Sequence, residues 1–162
     1  MNLKQISSAA LPRALALAER YRLLNEPEQA ASIYRDVLET DPSNPDAQRN
    51  LLLCITDQFS EKHGPGMDAA ESLLVSLAND YEREYYHGII CERWGRAKLI
   101  EGAHASFVGS WIKKAMVHYG NAEQLSPSDN ENATLRWNAC ARLIARIPGL
   151  AEVREEQAIF ED

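Results

Sequence analysis

The chain has 162 residues and a mass of 18.2 kDa, which suits one compact domain and is too short for two full ones. Its 45 % apolar and 25 % charged residues are close to the averages of globular proteins and exclude a disordered or fibrous chain. The net charge of −7 argues against nucleic acid as a partner, because an acidic surface repels phosphate backbones and no run of five like charges occurs.

Cysteine usage and hydropathy predict the environment of the chain. Cys54, Cys91 and Cys140 are widely separated and odd in number, without a Cys-x-x-Cys pair, which fits a reducing compartment. No segment approaches the ~18 consecutive apolar residues of a membrane span, and Pro12 and Arg13 interrupt any run of signal-peptide length. We therefore expect a cytoplasmic protein that neither enters nor crosses a membrane.

Helix signals dominate the chain and strand signals are nearly absent. Apolar residues recur at spacings of three and four over residues 11–24 and 27–40, the period of one helical face. Asn25-Glu26-Pro27 separates these helices. Residues 41–45 end the second helix, because each of their two prolines disfavours helix at the residue before it.

A third helix is predicted from Pro45 to about Phe59, with Ser43 or Asn44 as its cap. The loop His63-Gly64-Pro65-Gly66 follows it. Further helices are expected in four segments of the chain: residues 67–78, 81–102, 107–124 and 131–146. Residues 1–149 are thus predicted to form a single domain of seven helices, and residues 150–162 an acidic C-terminal tail.

Four glycines recur every seven residues in the longest predicted helices: Gly88, Gly95, Gly102 and Gly109. Each weakens a helix by ~1 kcal/mol relative to alanine. We interpret them as small residues on one helical face that permit close helix packing.

Two stretches share one spacing, in which an alanine is followed by a tyrosine after four residues, a small or branched residue after seven and a proline after twelve. They comprise Ala30, Tyr34, Val37 and Pro42, and Ala115, Tyr119, Ala122 and Pro127. The pattern resembles the tetratricopeptide repeat, a helix-turn-helix unit of about 34 residues. The resemblance covers roughly residues 11–130. The middle helix pair, whose corresponding alanine is Ala70, lacks the closing proline. Ala70 lies 40 residues after Ala30 and 45 residues before Ala115, so the repeats are longer than usual.

This resemblance implies an all-α fold of antiparallel helix pairs, stacked as a short right-handed solenoid with a C-terminal capping helix. It also implies a non-catalytic adaptor that binds a protein or peptide on a concave face lined by the first helix of each pair. Arg49 and Leu53 are expected on that face from the register of the first helices. Glu19 is expected there too, which disfavours the family's known grip on a C-terminal carboxylate by lysine, arginine and asparagine side chains.

Arginines and tryptophans cluster late in the chain, and both residue types are enriched at binding interfaces. On charge alone, Arg93 and Arg136 are therefore predicted to line the same groove and to favour an acidic or C-terminal peptide. The alternative is that the tryptophans fill the core while the arginines surround it. The acidic tail of the chain could also occupy such a groove.

Catalysis, metals and cofactors are not expected. His87 and Cys91 lie four residues apart and could share a helical face, but two ligands do not complete a zinc site, and His104 and His118 could join them only through the fold. No nucleophile elbow, phosphate loop or dinucleotide fingerprint is present. A self-associating structural subunit and, less favoured, a metal- or cysteine-dependent enzyme are the alternatives.

Overall fold

The structure, a computed structural model, describes residues 2–152, and within that range it contains helices and no strand. The seven α-helices are α1 (Leu11–Leu23), α2 (Pro27–Thr40), α3 (Pro45–Asp57), α4 (Met67–Glu71), α5 (Asp80–Ile100), α6 (Ala105–Leu125) and α7 (Asn132–Arg146). Short 3-10 turns occupy Ser8–Ala10 and Leu74–Ser76. The predicted all-α class of paired helices is confirmed.

The odd-numbered helices run parallel to one another in one layer. Arg49 of α3 bonds to Glu82 near the start of α5, while Leu53, one turn later on α3, accepts a bond from Arg93, three turns later on α5. Residue numbers rise together along both helices, so α3 and α5 are parallel. Bonds from Arg22 of α1 to α3, and between α5 and residues at the start of α7, extend the layer to four helices.

The even-numbered helices pack behind this layer as antiparallel partners. Glu84, early in α5, bonds to His118, late in α6, whereas Gly95, late in α5, contacts Ile112, early in α6. Helix α2 packs between α1 and α3, and α6 packs between α5 and α7. No helix within residues 2–152 combines the length and apolarity needed to cross a membrane.

The repeated alanine and tyrosine positions form the centre of the core. The residues at these positions are at most 2 % exposed: Ala30, Tyr34, Val37, Ala115, Tyr119 and Ala122. The small side chains let the helices approach, and each tyrosine fills the remaining space between neighbouring elements. The shared spacing therefore marks packing positions in both stretches.

Buried side chains form two clusters that meet at α5. One cluster lies among α1, α2, α3 and the side of α5 that carries Ile90 and Ala97. The other lies among α6, α7 and the side of α5 that carries Ile89 and Cys91. Met67 and Tyr86 pack against both clusters and join them. Helix α5 is therefore buried on two sides, which positions its remaining polar side chains on the face of the parallel layer.

Two of the four spaced glycines, Gly88 and Gly95, permit close helix packing as predicted, and Gly109 permits close approach of Leu150, which follows α7. A Cβ at Gly88 would lie 2.5 Å from the Tyr119 ring, and one at Gly109 would lie 2.1 Å from the Leu150 carbonyl oxygen. Gly95 is similarly close to α6. Gly102 instead lies in the α5–α6 connection, where its φ of +83° requires the left-handed region that glycine readily adopts.

The predicted helix over residues 67–78 is wrong in its second half. Helix α4 ends at Glu71, and a turn and the 3-10 segment Leu74–Ser76 follow. The hydroxyls of Ser72 and Ser76 donate to the carbonyls of the residues three positions earlier, at 2.9 and 2.7 Å. Such local bonds offer the backbone an alternative to continued α-helix.

The end of the described chain packs against α6. Leu150 is fully buried in the second core cluster, and Nζ of Lys113 donates to the carbonyl oxygen of Ala151 at 2.7 Å. Packing of the helical domain thus extends to Leu150. The rest of the predicted acidic tail, residues 153–162, lies outside the described residues.

Candidate binding face on the parallel helix layer

Arg93 links α5 to the end of α3. Its Nη1 donates to the carbonyl oxygen of Leu53 at 3.1 Å and to Oγ1 of Thr56 at 2.6 Å, and it forms an ion pair with Asp57. Burial lowers the pKa of Arg93, and the Asp57 carboxylate opposes that shift. Asp57 also accepts from Nε of Arg22 at 2.9 Å, so one carboxylate connects α1, α3 and α5.

Glu92 forms the second anionic centre, one residue earlier on α5. Its side chain is 2 % exposed, and its two oxygens accept hydrogen bonds from Nε of Arg96 at 2.9 Å and from the hydroxyl of Tyr119 at 2.8 Å. Nε of Arg136, on α7, lies 3.6 Å from the same carboxylate. Burial, with the neighbouring Glu92 charge, raises the pKa of Tyr119, which keeps its hydroxyl protonated as a donor.

These six residues are called the arginine network below: Arg22, Asp57, Glu92, Arg93, Arg96 and Arg136. Four guanidinium groups face two carboxylates, so the network is positively charged within a molecule whose net charge is −7. The arginine side chains are between 23 and 39 % exposed, which leaves part of each open to a ligand. The face therefore has a local charge opposite to that of the whole protein.

The structure brings two of the four predicted site residues, Arg93 and Arg136, into this network. Arg49 lies at the other end of α3, where it pairs with Glu82 at 2.9 Å and Asp46 at 3.1 Å. That group has more negative than positive charge, unlike the network. Leu53 contributes its carbonyl to Arg93, while its side chain packs against the second core cluster.

Sequence reasoning missed the two carboxylates that hold the arginines. Glu92 carries one signal, because Arg96 lies four residues after it and such pairs meet on a helix surface. Asp57 carries no comparable signal, since its partners lie 35 and 36 residues away along the chain. The other late arginines, Arg142 and Arg146, are exposed and lie outside the network.

Two clefts accompany these groups and differ in charge. A cleft of about 190 Å³ is lined by Thr56, Asp57, Arg93, Arg96, Phe59 and Ile100. A larger one of about 360 Å³ lies between α1 and α3 and is lined by Leu15, Glu19, Tyr34, Asp46 and Asn50. The basic cleft lies beside the arginine network and the acidic cleft at the opposite end of α3.

The tryptophans divide between core and surface. Trp94 packs edge-on against Phe59 with ring centroids 5.3 Å apart, and Trp111 packs against the second core cluster. Trp137 on α7 is 39 % exposed. Trp94 and Trp111 are thus half-buried and pack against the core clusters.

Two of the cysteines lie in environments that suppress reactivity. Cys54 and Cys140 are fully buried, and burial raises the pKa of their thiols to about 11 and about 12. A thiol with such a pKa is protonated at neutral pH and is a weak nucleophile. Cys91 is equally buried, and burial raises its pKa to about 11, but it also lies beside His87 and His118. This cluster is the one group in residues 2–152 with the donor set for a metal ion.

Comparison with known proteins identifies the first helix pair. Residues 12–54, which span α1, α2 and most of α3, match the tetratricopeptide repeat family model. This match supports a tetratricopeptide repeat in that segment, as the sequence pattern indicated. Repeats of this family are generally protein-interaction modules and are typically non-catalytic. No curated protein and no solved structure matched the chain.

Proposed function

We propose that the protein is a non-catalytic adaptor that binds an acidic peptide segment of a partner protein across α1, α3, α5 and α7. The observation that supports this proposal is the surplus of guanidinium groups in the arginine network. In the tetratricopeptide family, the first helix of each pair supplies most of the binding surface, and the network lies on those helices and on α7.

The arginines retain capacity for a ligand. Each guanidinium has five N–H donors. In bonds with the described residues, Arg22 and Arg96 use only Nε and Arg93 uses only Nη1, so their other N–H groups are the free donors. Nε of Arg136 also has no hydrogen-bond partner among these residues, but it is buried, so a ligand would meet the other nitrogens of that guanidinium. A carboxylate can accept two parallel bonds from one guanidinium, so acidic side chains match the free donors.

Selection of random peptides displayed on phage against the immobilised full-length protein tests this proposal. We expect selected peptides to be enriched in aspartate and glutamate, and their affinity to fall as ionic strength rises. A synthetic copy of the best peptide is then titrated against single-site variants. Arg136→Gln should weaken binding by roughly 30-fold or more, the scale of an interface hot spot.

Arg142→Gln is the matched control, because Arg142 is an exposed arginine on the same helix and lies outside the network. It removes the same charge and should change affinity less than about threefold. Thermal melts of both variants separate loss of binding from loss of folding. Selected peptides without acidic enrichment, or equal losses in the two variants, would contradict the proposal.

Self-association is the second candidate, supported by apolar side chains exposed on the terminal helix. Leu135 is 62 % exposed and Trp137 is 39 % exposed, although α7 is the helix expected to cap the solenoid. Sedimentation equilibrium distinguishes the two functions. A dimer that Trp137→Glu dissociates would support self-association, and a monomer at all concentrations would eliminate it.

A further inference from the structure

On the side of α5 away from the arginine network, two imidazoles and a thiol come together. His87 and Cys91 lie one turn apart on α5, and His118 faces them from α6. One donor atom from each lies within 4.8 Å of the other two, and the imidazole rings stack with centroids 3.8 Å apart. We propose that these three side chains, with the carboxylate of Glu71, bind one zinc ion.

The protein's own groups leave this cluster incomplete. Nε2 of His87 is buried and has no hydrogen-bond partner among residues 2–152. An unsatisfied buried polar atom is costly, and such atoms in native proteins call for an explanation. A metal ion that accepts the lone pair of this nitrogen would satisfy it.

Glu71 is the fourth ligand that we assign, because its carboxylate lies beside His87, although it is outside the group of three whose donor atoms lie within 4.8 Å of one another. It is the last residue of α4, and its Oε1 lies 3.5 Å from Nε2 of His87. Two donors bound to one tetrahedral zinc ion at about 2.0–2.1 Å lie roughly 3.3 Å from each other. The fold thus supplies the two ligands, His118 and Glu71, that the sequence could not assign, and the ion would connect α4, α5 and α6.

A second carboxylate orients His118. Oε2 of Glu84 lies 2.8 Å from Nδ1 of His118 and also accepts from Nδ2 of Asn121 at 3.1 Å. Metal-bound imidazoles commonly direct their other ring nitrogen to a carboxylate in this way. Because Nδ1 is engaged, Nε2 is the nitrogen of His118 that we assign to the ion.

The charges of the cluster also suit a divalent cation. Binding converts the Cys91 thiol to a thiolate and releases its proton to solvent. The thiolate, Glu71 and Glu84 then carry three negative charges, and Lys114 is the cation close enough to act on both His87 and Cys91. The two surplus negative charges equal the charge of one zinc ion.

The donor types select zinc over calcium and magnesium. Calcium and magnesium prefer oxygen ligands, whereas nitrogen and thiolate donors favour zinc and neighbouring transition metals. A site with four protein ligands and no open position is typical of structural zinc. Here Cys91 is buried and the other three ligands are partly exposed. The ion would hold the short helix α4 against the longest helix pair of the fold.

Cobalt(II) titration of the metal-free full-length protein, carrying no histidine tag, tests the site. We expect one equivalent of cobalt to give thiolate-to-metal charge-transfer absorption and the intense visible bands of a tetrahedral ion. One equivalent of zinc should then remove these bands. The melting temperature of the protein should also rise with zinc concentration, because the ion binds the folded state.

Variants separate this site from adventitious binding. Cys91→Ser should abolish the charge-transfer absorption, and Glu84→Gln should weaken zinc affinity about 10–100-fold through His118. Cys140→Ser and His63→Gln are matched controls, since Cys140 lies elsewhere in the core and His63 lies exposed in the loop before α4. Both controls should bind like the parent protein.

Absence of charge-transfer absorption in the folded parent protein would overturn the proposal. Binding that survives both Cys91→Ser and His87→Gln would do the same, because it would place the ion elsewhere. If Cys91→Ser fails to fold, His118→Gln takes its place. This variant should keep its circular dichroism and lose zinc affinity, and an unchanged affinity would overturn the proposal. None of these outcomes depends on peptide binding by the arginine network.

Discussion

The hydroxyl of Tyr119 donates a hydrogen bond of 2.8 Å to the buried carboxylate of Glu92. Tyr119 occupies the repeated tyrosine position of the α5–α6 pair. Glu92 accepts from Arg96 through Oε1, and its Oε2, which accepts the Tyr119 bond, lies 3.6 Å from Nε of Arg136. One carboxylate therefore connects the repeat core to the proposed binding face. A change in the core can alter the positions of the arginines through this residue.

We expect Glu92→Gln to reduce the free energy of unfolding by about 1–3 kcal/mol, the scale for charged hydrogen bonds with buried partners. The exposed pair of Lys98 and Glu101 provides the control, and Glu101→Gln should change stability by less than about 0.5 kcal/mol. Urea unfolding measures both.

Combined with Tyr119→Phe in a double-mutant cycle, Glu92→Gln should show a coupling energy above about 0.5 kcal/mol. Additive losses would contradict the direct contact.

Two glycine substitutions should have opposite effects on stability. Gly88→Ala introduces a Cβ 2.5 Å from the Tyr119 ring and should destabilise the protein by about 1–3 kcal/mol through overpacking. Gly120→Ala meets no atom within 4 Å and should stabilise helix α6 by about 0.5–1 kcal/mol. Thermal or urea unfolding measures both variants. A loss of stability in Gly120→Ala as well would contradict the expectation that helix propensity decides the effect where there is space for a Cβ.

The paired helices could be predicted from sequence because their signals are local. The ends of α5 and α6 lie within two residues of those that the sequence predicts. The second half of residues 67–78 could not be predicted in this way. Its leucines keep helical spacing, but the hydroxyls of Ser72 and Ser76 bond to nearby carbonyls, and Leu77 is buried after a break in the helix.

The candidate sites depend on contacts between distant segments, which periodicity does not encode. The charge of Arg93 predicts a role in binding, but its position depends on Asp57, 36 residues earlier. His118 joins His87 only because α5 and α6 run antiparallel with Gly88 against Tyr119. Sequence alone identified residue types suited to binding, whereas the fold determined which of them meet.

The cap of α3 should contribute measurably to stability. The side chain of Asn44 accepts a hydrogen bond of 3.0 Å from the backbone N–H of Ala47, which satisfies one free donor at the start of the helix. Asn44→Ala should cost about 1 kcal/mol. Glu131 occupies the corresponding position of α7 without such a bond, so Glu131→Ala should cost less than about 0.5 kcal/mol in the same unfolding assay. Equal costs would contradict the capping role.

Alkaline pH should destabilise the protein through its buried thiols. The pKa of Cys54 is raised to about 11 and that of Cys140 to about 12, whereas both ionise near pH 9 in the unfolded chain. The folded state therefore keeps protons that the unfolded state loses, so their contribution is complete below pH 9 and is lost progressively between pH 9 and 12. Between pH 8 and 10, each thiol should account for a loss of about 1 kcal/mol in the free energy of unfolding.

Urea unfolding at pH 8 and pH 10 measures the total loss of unfolding free energy. The double variant Cys54→Ala, Cys140→Ala should show a loss that is smaller by about 2 kcal/mol. An equal fall in the parent and the double variant would assign the alkaline loss to other groups, such as the buried Tyr34, whose pKa burial raises to about 12.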